Sequence, residues 1–293
     1  MQQSENDLFV RLKQAWRRHE RRWKSNKYVY AVVSRRSRGV SIGINLNPDK
    51  ACNFHCIYCQ VNRDIAPEIR KVSLEKLSEE LDLILGAEKD GSLYEDERFQ
   101  LLTPSERGVR DIAFSGDGEP TTFLRFGEAV RIAADARRRF HLNSTKLVLI
   151  TNAAYLNRPR VRVALETLDD NNGEIWAKLD AGTEEYFRRV NRPNVSLKRI
   201  TENILEAARI RPIVIQSLWF RIQGSAPPFE EIEAYCSQLN AILAAGGRLK
   251  KLQLYTIARD PSDPAASSLL PDDLDQIGAA ARSRVPVPVE VFY

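Results

Sequence analysis

The chain has 293 residues, of which 43% are hydrophobic and 28% are charged. This composition is typical of a folded globular protein and excludes disordered, collagen-like and disulfide-scaffold classes. The longest apolar stretches are far shorter than the roughly 20 residues that a membrane helix needs. The N-terminus is polar and lacks the apolar region of a signal peptide. We therefore expect a cytoplasmic α/β protein.

The net charge of +5 is concentrated at the front of the chain. The first 40 residues carry eleven Lys and Arg against three Asp and Glu, whereas the remainder has a small acidic excess. A helix is predicted over residues 5–27, with Trp16 and Trp23 one heptad apart. Two interpretations remain: the helix binds RNA through phosphate contacts and stacking, or it buries both Trp side chains and leaves its Arg residues in solvent.

We treat residues 1–30 as a basic helical extension and residues 31–293 as one domain. A strand is predicted where Val40, Ile42 and Ile44 alternate with small polar residues, and a helix is predicted from Ser73 to Gly86. The polar stretch over residues 87–110 is predicted to be a loop insertion. Further strands are predicted over residues 111–115, 146–151, 174–179, 213–222, 249–257 and 287–292, and further helices over residues 123–140, 159–168, 197–210, 229–245 and 272–282.

This alternation predicts an α/β fold, a partial (β/α)6 TIM-like barrel of mostly parallel strands. Ligands of such folds gather at the carboxyl ends of the strands. Small and polar residues dominate at those ends in this sequence. They include the run Ser115, Gly116, Asp117, Gly118 and Glu119, together with Asn152, Asp180 and Thr256.

Three of the four cysteines, Cys52, Cys56 and Cys59, fall within eight residues directly after the strand at 40–46. Three thiolates on one short loop can bind three corners of an iron–sulfur cube and leave one iron open, whereas clusters used only for electron transfer usually have four Cys ligands. The alternative is a zinc site with His55 as the fourth ligand, although this spacing fits tetrahedral zinc poorly. Cys236 stands alone and is predicted to be a core residue.

These motifs resemble the radical S-adenosylmethionine (radical SAM) superfamily. The CxxxCxxC loop with Tyr58 before its last Cys is similar to that family's cluster loop. The run from Ser115 to Pro120 is similar to its Gly-Gly-Glu-Pro motif. The resemblance is strongest to the wyosine-synthase-like group of iron–sulfur oxidoreductases, through five segments of the sequence: residues 33–36, 114–121, 150–152, 178–182 and 187–193.

The resemblance implies a [4Fe–4S] cluster held by the three cysteines, with SAM chelated to the open iron. Reductive cleavage of SAM would yield a 5′-deoxyadenosyl radical that abstracts hydrogen from a substrate, with RNA or a protein side chain as candidates. It further implies that the Ser115–Glu119 run binds the SAM ammonium and that Asp180 accepts from ribose hydroxyls. Asn152 and Lys178 are expected as neighbouring polar contacts, and the backbone at Thr256 is a candidate for the adenine. Helix capping and turn formation are the competing roles for these residues.

The sequence also departs from the archaeal wyosine synthases, because residues 2–51 contain no Cys for a second cluster. We therefore do not expect pyruvate-dependent wyosine formation. An external one-electron donor of flavodoxin or ferredoxin type is expected, with no membrane or DNA partner. The alternative function is a non-catalytic iron–sulfur or zinc module that binds nucleic acid and never cleaves SAM. A third interpretation, a degenerate barrel that serves as an interaction scaffold, is disfavoured by the intact cysteine triplet.

Overall fold

The computed structural model describes residues 23–259 and 261–293. Most of the predicted N-terminal helix falls outside these residues, so the extension over residues 1–30 and its RNA contacts remain predictions. Within the described part, residues 23–28 form turns. Trp23 is only 2% exposed, so its ring is buried and is not presented for stacking. None of the described helices combines the length and the hydropathy needed to cross a membrane.

The described chain alternates strands with helices in the predicted order. The strands are β1 Val29–Ser34, β2 Gly39–Ile44, β3 Val109–Phe114, β4 Lys146–Thr151, β5 Gly173–Lys178, β6 Ile213–Leu218, β7 Phe220–Ile222, β8 Leu249–Tyr255, β9 Ala266–Ser268 and β10 Val289–Phe292. The helices are α1 Leu74–Asp90, α2 Phe126–Arg139, α3 Pro159–Asp169, α4 Glu184–Asn191, α5 Leu197–Ile210, α6 Phe229–Ala244 and α7 Pro271–Arg284. Short 3-10 helices lie at Ser92–Glu95 and Pro120–Thr122.

The chain folds as two compact units. Unit 1 comprises residues 1–51, 67–149 and 163–173, and unit 2 comprises residues 52–66, 150–162 and 174–293. In unit 1, β1 pairs antiparallel with β2, after which β2, β3 and β4 pair in parallel. Helix α1 packs its apolar side chains into the core of this unit, where Leu77, Leu81 and Ile84 are fully buried.

Unit 2 contains the parallel strand order β5-β6-β8-β10. Every residue of β6 is buried, as expected for a strand covered on both faces. One face of β6 meets α6, where the hydroxyls of Ser217 and Tyr235 lie 2.6 Å apart. Since side chains alternate along a strand, Gln216 and Leu218 lie on the opposite face. Lys178 and Gln216 are in register, which places Lys178 on that same face.

The parallel pairing confirms the predicted α/β class, and several elements differ from the predictions. Strand β1 and helix α4 were not predicted, and the strand predicted over residues 213–222 is divided into β6 and β7. Helix α1 continues past Gly86 to Asp90, because Gly91 adopts the left-handed conformation (φ +87°) that ends a helix. Residues 96–108 of the predicted loop insertion are turns and irregular structure.

A buried carboxylate connects α1 to β1 in unit 1. Glu80 is 1% exposed, and its oxygens accept hydrogen bonds from the backbone N–H groups of Lys27, Tyr28 and Val29 at 2.8, 2.8 and 3.1 Å. Lys27 and Tyr28 precede β1 and Val29 begins it, so no hydrogen bond within a helix is available to these three N–H groups. The carboxylate therefore fixes where the chain enters β1.

We predict that Glu80→Ala lowers the free energy of unfolding by on the order of 3 kcal/mol, because it leaves three backbone donors without their acceptor. The neighbouring Glu79 is exposed and pairs with Lys76, which is also exposed, so Glu79→Ala should change stability by less than about 0.5 kcal/mol. Urea denaturation followed by circular dichroism measures both. Equal midpoints for the two variants would contradict the role given to Glu80.

Candidate functional site

The cysteine loop belongs to unit 2 and is held in place by its apolar side chains. Phe54, Ile57 and Tyr58 are buried, and the Phe54 ring packs edge-on against Phe187 with 5.7 Å between centroids. The three cysteines between and beside these side chains are half-buried and form no disulfide among the described residues. His55, the predicted fourth zinc ligand, is exposed.

The carboxyl end of α4 supports the backbone of this loop. The N–H of His55 donates to the carbonyl of Asn191 at 3.1 Å, and the N–H of Ile57 donates to the carbonyl of Val190 at 3.0 Å. Arg192 follows with φ +41°, a left-handed conformation that non-glycine residues adopt at some cost. The last carbonyls of a helix have no partner within it, and those of α4 satisfy loop donors that would otherwise need water.

Asp180 lies just past the end of β5 and joins three parts of unit 2. Its carboxylate accepts hydrogen bonds from the Leu218 N–H at 2.8 Å, from the Asn191 side-chain amide at 3.0 Å and from the Tyr58 hydroxyl. Asp180 is 2% exposed, so each of these donors offsets part of the cost of burying a charge. The Tyr58 hydroxyl also accepts from Asn191 at 3.1 Å, and burial, followed by the nearby Asp180 charge, raises the Tyr58 pKa well above its ordinary value.

Two cysteine sulfurs accept hydrogen bonds from neighbouring side chains. The Asn191 Nδ2 lies 3.4 Å from the Cys56 Sγ, and the Arg63 Nη1 lies 3.2 Å from the Cys59 Sγ. Burial raises the pKa of the Cys56 thiol to about 12, so this thiol is protonated until a metal displaces its proton. Within the described residues, no group of three or more His, Cys, Asp or Glu side chains is arranged for a single metal ion.

These observations test whether the loop suits an iron–sulfur cluster. Soft thiolate ligands select iron–sulfur clusters, and hydrogen bonds to their sulfurs are a known determinant of cluster potential. Here one loop places three cysteine side chains at half-buried positions, and two of their sulfurs already accept from N–H donors. The residues present therefore fit a cluster bound by three thiolates.

Lys178 ends β5, two residues before Asp180, and its side chain is half-buried. Burial acts to lower the pKa of this ammonium group, but Tyr255, Asp180, Cys56 and Cys59 favour the charged form, and the net result is a raised pKa. No hydrogen bond or ion pair of the Lys178 ammonium is found among the described residues. The charge is therefore available to a ligand.

The predicted Ser115–Glu119 turn lies in unit 1, directly after β3. Its two glycines are required by protein packing: a Cβ on Gly116 would lie 2.3 Å from the Asn45 Oδ1, and a Cβ on Gly118 would lie 1.9 Å from the Ala51 carbonyl oxygen. Asn45 also donates to the Asp117 carboxylate at 2.7 Å. Contact between this turn and a ligand stays a prediction.

Glu119 is 3% exposed and caps the short helix that follows it, since its Oε1 accepts from the Thr121 N–H at 3.1 Å. The Glu119 carboxylate therefore caps this helix, which is the structural role expected as the alternative to binding SAM. The side chain of Ser115 lies near the hydroxyl of Tyr30, at 3.2 Å. Both residues stay in the prediction for the SAM ammonium.

Asn152 and Thr256 follow β4 and β8. Asn152 donates to the Asn53 Oδ1 at 2.9 Å, which brings it to the cysteine loop, and its own oxygen accepts from the Ala154 N–H at 3.1 Å. The Thr256 Oγ1 accepts from the Leu269 N–H at 2.8 Å, so this side chain organises the chain beyond β8. Unit 2 therefore gathers Asn152, Lys178 and Asp180 around the cysteine loop.

Sequence reasoning did not assign Asn191 or Arg63 to the site. Asn191 lies within the segment 187–193, which carries part of the family resemblance. That resemblance was the one sequence feature that pointed to this residue. Arg63 follows Cys59 by four residues and has no distinguishing pattern. Both are identified here by their distances to cysteine sulfur.

The sequence model of the radical SAM superfamily matches residues 46–218 of this chain, which is more than half of it. The chain belongs to the radical SAM superfamily. Proteins of this superfamily bind a [4Fe–4S] cluster and SAM, so the predicted family and its two cofactors are confirmed. The chain is thus an enzyme of the radical SAM superfamily.

Two curated relatives differ in how much of their length this radical SAM chain spans. A UPF0026 protein of Helicobacter pylori is 26% identical over 251 residues, which is 84% of this chain and 71% of the relative. A GTPase Obg of Brachyspira hyodysenteriae is 22% identical over 267 residues, which is 90% of this chain but 35% of that protein. The chain spans about a third of the latter, so no activity of that whole protein transfers to it.

Two solved structures share the fold of this radical SAM chain. A radical SAM methyltransferase from Sphaerobacter thermophilus superposes with a TM-score of 0.62 at 11% identity, covering 90% of this chain and 69% of that one. A structure of TYW1 with a lysine–pyruvate adduct bound superposes with a TM-score of 0.51 at 16% identity, covering 94% and 81%. At these identities the likeness shows the fold alone, and it confirms the predicted partial-barrel class.

We predict that Tyr58→Phe in the metal-free protein increases the rate at which the loop thiols react with a disulfide reagent, by about fivefold or more. The substitution removes one donor from the buried Asp180 and so weakens the attachment of the loop, at a cost of about 1–3 kcal/mol. Both the variant and its parent would carry Cys236→Ala, so that only the three loop thiols react.

Tyr235→Phe in the same background is the matched control, because it removes an equally buried hydroxyl that bonds Ser217 in the same unit. This variant should lose stability without changing thiol reactivity. Reaction rates that rise equally in both variants would indicate general loosening of unit 2 and contradict a specific role for Tyr58.

Proposed function

We propose that Cys52, Cys56 and Cys59 bind a [4Fe–4S] cluster with one iron open to SAM, and that this enzyme cleaves SAM reductively. The observation that carries the proposal is the loop itself: three cysteines outside any disulfide, with N–H donors from Asn191 and Arg63 already directed at two sulfurs. When bound, the cluster supplies the electron that cleaves SAM to methionine and a 5′-deoxyadenosyl radical able to abstract hydrogen.

The protein's own part in this chemistry is to hold and orient the ligands. We assign the Ser115–Glu119 turn to the SAM ammonium, and Asn152 to SAM through its position beside the cysteine loop. The backbone at Thr256 is assigned to the adenine. Asp180 serves the site through Tyr58 and Asn191, because three donors already occupy its carboxylate.

We assign Lys178 to an anionic group, a carboxylate or a phosphate, on SAM or on the substrate. Two observations support this role: the ammonium is half-buried, and its pKa is raised, so it stays charged at neutral pH. A lysine that forms an adduct with a carbonyl compound must first lose its proton, which a lowered pKa favours. Lys178 has the opposite shift, so we do not extend to it the lysine–pyruvate adduct of the TYW1 structure.

The enzyme needs an external one-electron donor, and we propose a flavodoxin or ferredoxin. Cysteines that bind a cluster must stay reduced, and thiols stay reduced in the cytosol, so we propose a cytoplasmic location. RNA phosphates and protein carboxylates both carry an anion that Lys178 could bind, and we propose a substrate of this charge.

The central prediction is that the reconstituted protein forms 5′-deoxyadenosine from SAM after reduction by dithionite without oxygen. Cys56→Ala should lose at least about 100-fold of this activity, because one iron of the cluster then lacks its thiolate. Cys236→Ala is the matched control and should retain the activity, since that thiol is buried in α6. Product is quantified by mass spectrometry.

A wild-type protein that holds about four irons per chain and leaves SAM intact, with and without RNA added, would contradict the proposal. It would favour the non-catalytic module instead. Zinc in protein isolated without oxygen would contradict the cluster itself.

We predict that Lys178→Met raises the Kd of the loaded enzyme for SAM by about tenfold or more if the anion is the SAM carboxylate, because a charge-assisted hydrogen bond is lost. If the anion belongs to the substrate, the Kd for SAM stays unchanged and substrate turnover falls. Lys251→Met is the control, because Lys251 already pairs with Glu290 at 2.8 Å. Lys251→Met should change neither the Kd for SAM nor turnover. If Lys178→Met also changed neither quantity, the assignment of Lys178 would be contradicted.

A further inference from the structure

Asn191 is the last residue of α4 and is 2% exposed. Its side-chain nitrogen faces three acceptors at once: the Asp180 Oδ2 at 3.0 Å, the Tyr58 hydroxyl at 3.1 Å and the Cys56 Sγ at 3.4 Å. The amide has two hydrogens for these three acceptors. At least one of the two hydrogens is therefore shared between two of these acceptors.

The orientation of this amide follows from its surroundings. A flipped amide would direct its oxygen at the buried Asp180 carboxylate, which has no hydrogen to donate when it is ionised. In the observed orientation the Asn191 Oδ1 is buried and has no donor among the described residues. Among the described residues the Asn191 Oδ1 thus stays without a donor, while the Asn191 N–H groups face Cys56 and Asp180.

The sulfur is also fixed relative to the amide by the main chain. The carbonyls of Val190 and Asn191 accept from Ile57 and His55, the residues on either side of Cys56. A displacement of the loop backbone away from α4 would have to break these hydrogen bonds, so they hold the Cys56 main chain beside the amide. The N–H···S contact therefore lies beside the backbone hydrogen bonds that join the loop to α4.

We propose that Asn191 is a positioning residue that stabilises the Cys56 thiolate and raises the reduction potential of the cluster bound there. This inference rests on the proposed function, because it requires the cluster. One-electron reduction adds negative charge that is spread over the cluster and its thiolates. A donor N–H at a thiolate stabilises the reduced state more than the oxidised state, and the effect is larger in a buried, low-dielectric site.

The test is an anaerobic redox titration of the reconstituted protein with dithionite, followed by electron paramagnetic resonance of the reduced cluster. We expect the midpoint potential of Asn191→Leu to be more negative than that of the wild type. A tenfold change in the reduction equilibrium corresponds to about 59 mV for one electron. Asn191→Asp keeps the shape of the side chain and replaces the donor with an acceptor, so its potential should also fall, even where the Leu variant folds poorly.

Asn203→Leu is the matched control. Asn203 is fully buried in α5 of the same unit and donates to the carbonyls of Ala153 and Ala154 at 2.9 and 3.0 Å, with no contact to cysteine. Its loss should lower the thermal midpoint without changing the potential. This separates loss of a buried amide in general from loss of the N–H···S bond.

Equal potentials in all four proteins, each with a full complement of iron, would overturn the inference and leave the proposed function intact. If both Asn191 variants lost the cluster and Asn203→Leu retained it, the inferred effect of Asn191 on the reduction potential would also be overturned. The role of Asn191 would then be to hold the loop in place. A wild-type protein that assembles no cluster would refute both the inference and the proposed function, and that outcome is visible without any variant.

Discussion

The site in unit 2 depends on the buried carboxylate of Asp180. A charged group that is 2% exposed is tolerated only when its oxygens are hydrogen-bonded, and here each donor comes from a different part of the chain. Leu218 ends β6, Tyr58 belongs to the cysteine loop and Asn191 ends α4. An unsatisfied buried charge is costly, so the end of β6, the end of α4 and the cysteine loop must stay in place together around Asp180.

This coupling explains how a loop with little regular structure presents three thiols in a defined arrangement. The loop has one internal turn, with the Cys59 N–H bonded to the Cys56 carbonyl at 3.0 Å. Most of its remaining backbone and side-chain partners lie outside it, on α4 and at strand ends. Such an arrangement keeps ligands in place before a metal binds, so less ordering is required when it does.

The sequence predicts the features that local patterns determine. The cysteine triplet is recognisable from spacing alone, and the helix predicted over residues 197–210 has the bounds of α5, which begins after its N-cap Ser196. Helix α4 has only eight residues and was missed, because it is shorter than the roughly 11–18 residues over which a helical pattern is recognised, even though Tyr186, Phe187 and Val190 share its buried face. The role of Asn191 was also missed: its contact with Cys56 joins residues that are 135 positions apart in the chain. Contacts of that kind depend on tertiary structure, which spacing does not encode.

Charge balance is the remaining requirement of the site. Three thiolates and Asp180 would place several negative charges in a partly buried region, and their mutual repulsion would oppose metal loading. Unit 2 supplies two cations against this: Arg63, which donates to the Cys59 sulfur, and Lys178, which lies on the strand face that Asp180 shares. Arg63 is already directed at sulfur, whereas the Lys178 ammonium has no hydrogen-bond acceptor among the described residues. The two cations therefore differ in role. Arg63 compensates the charge of the thiolates, and in the proposed function Lys178 binds a further anion that enters the site.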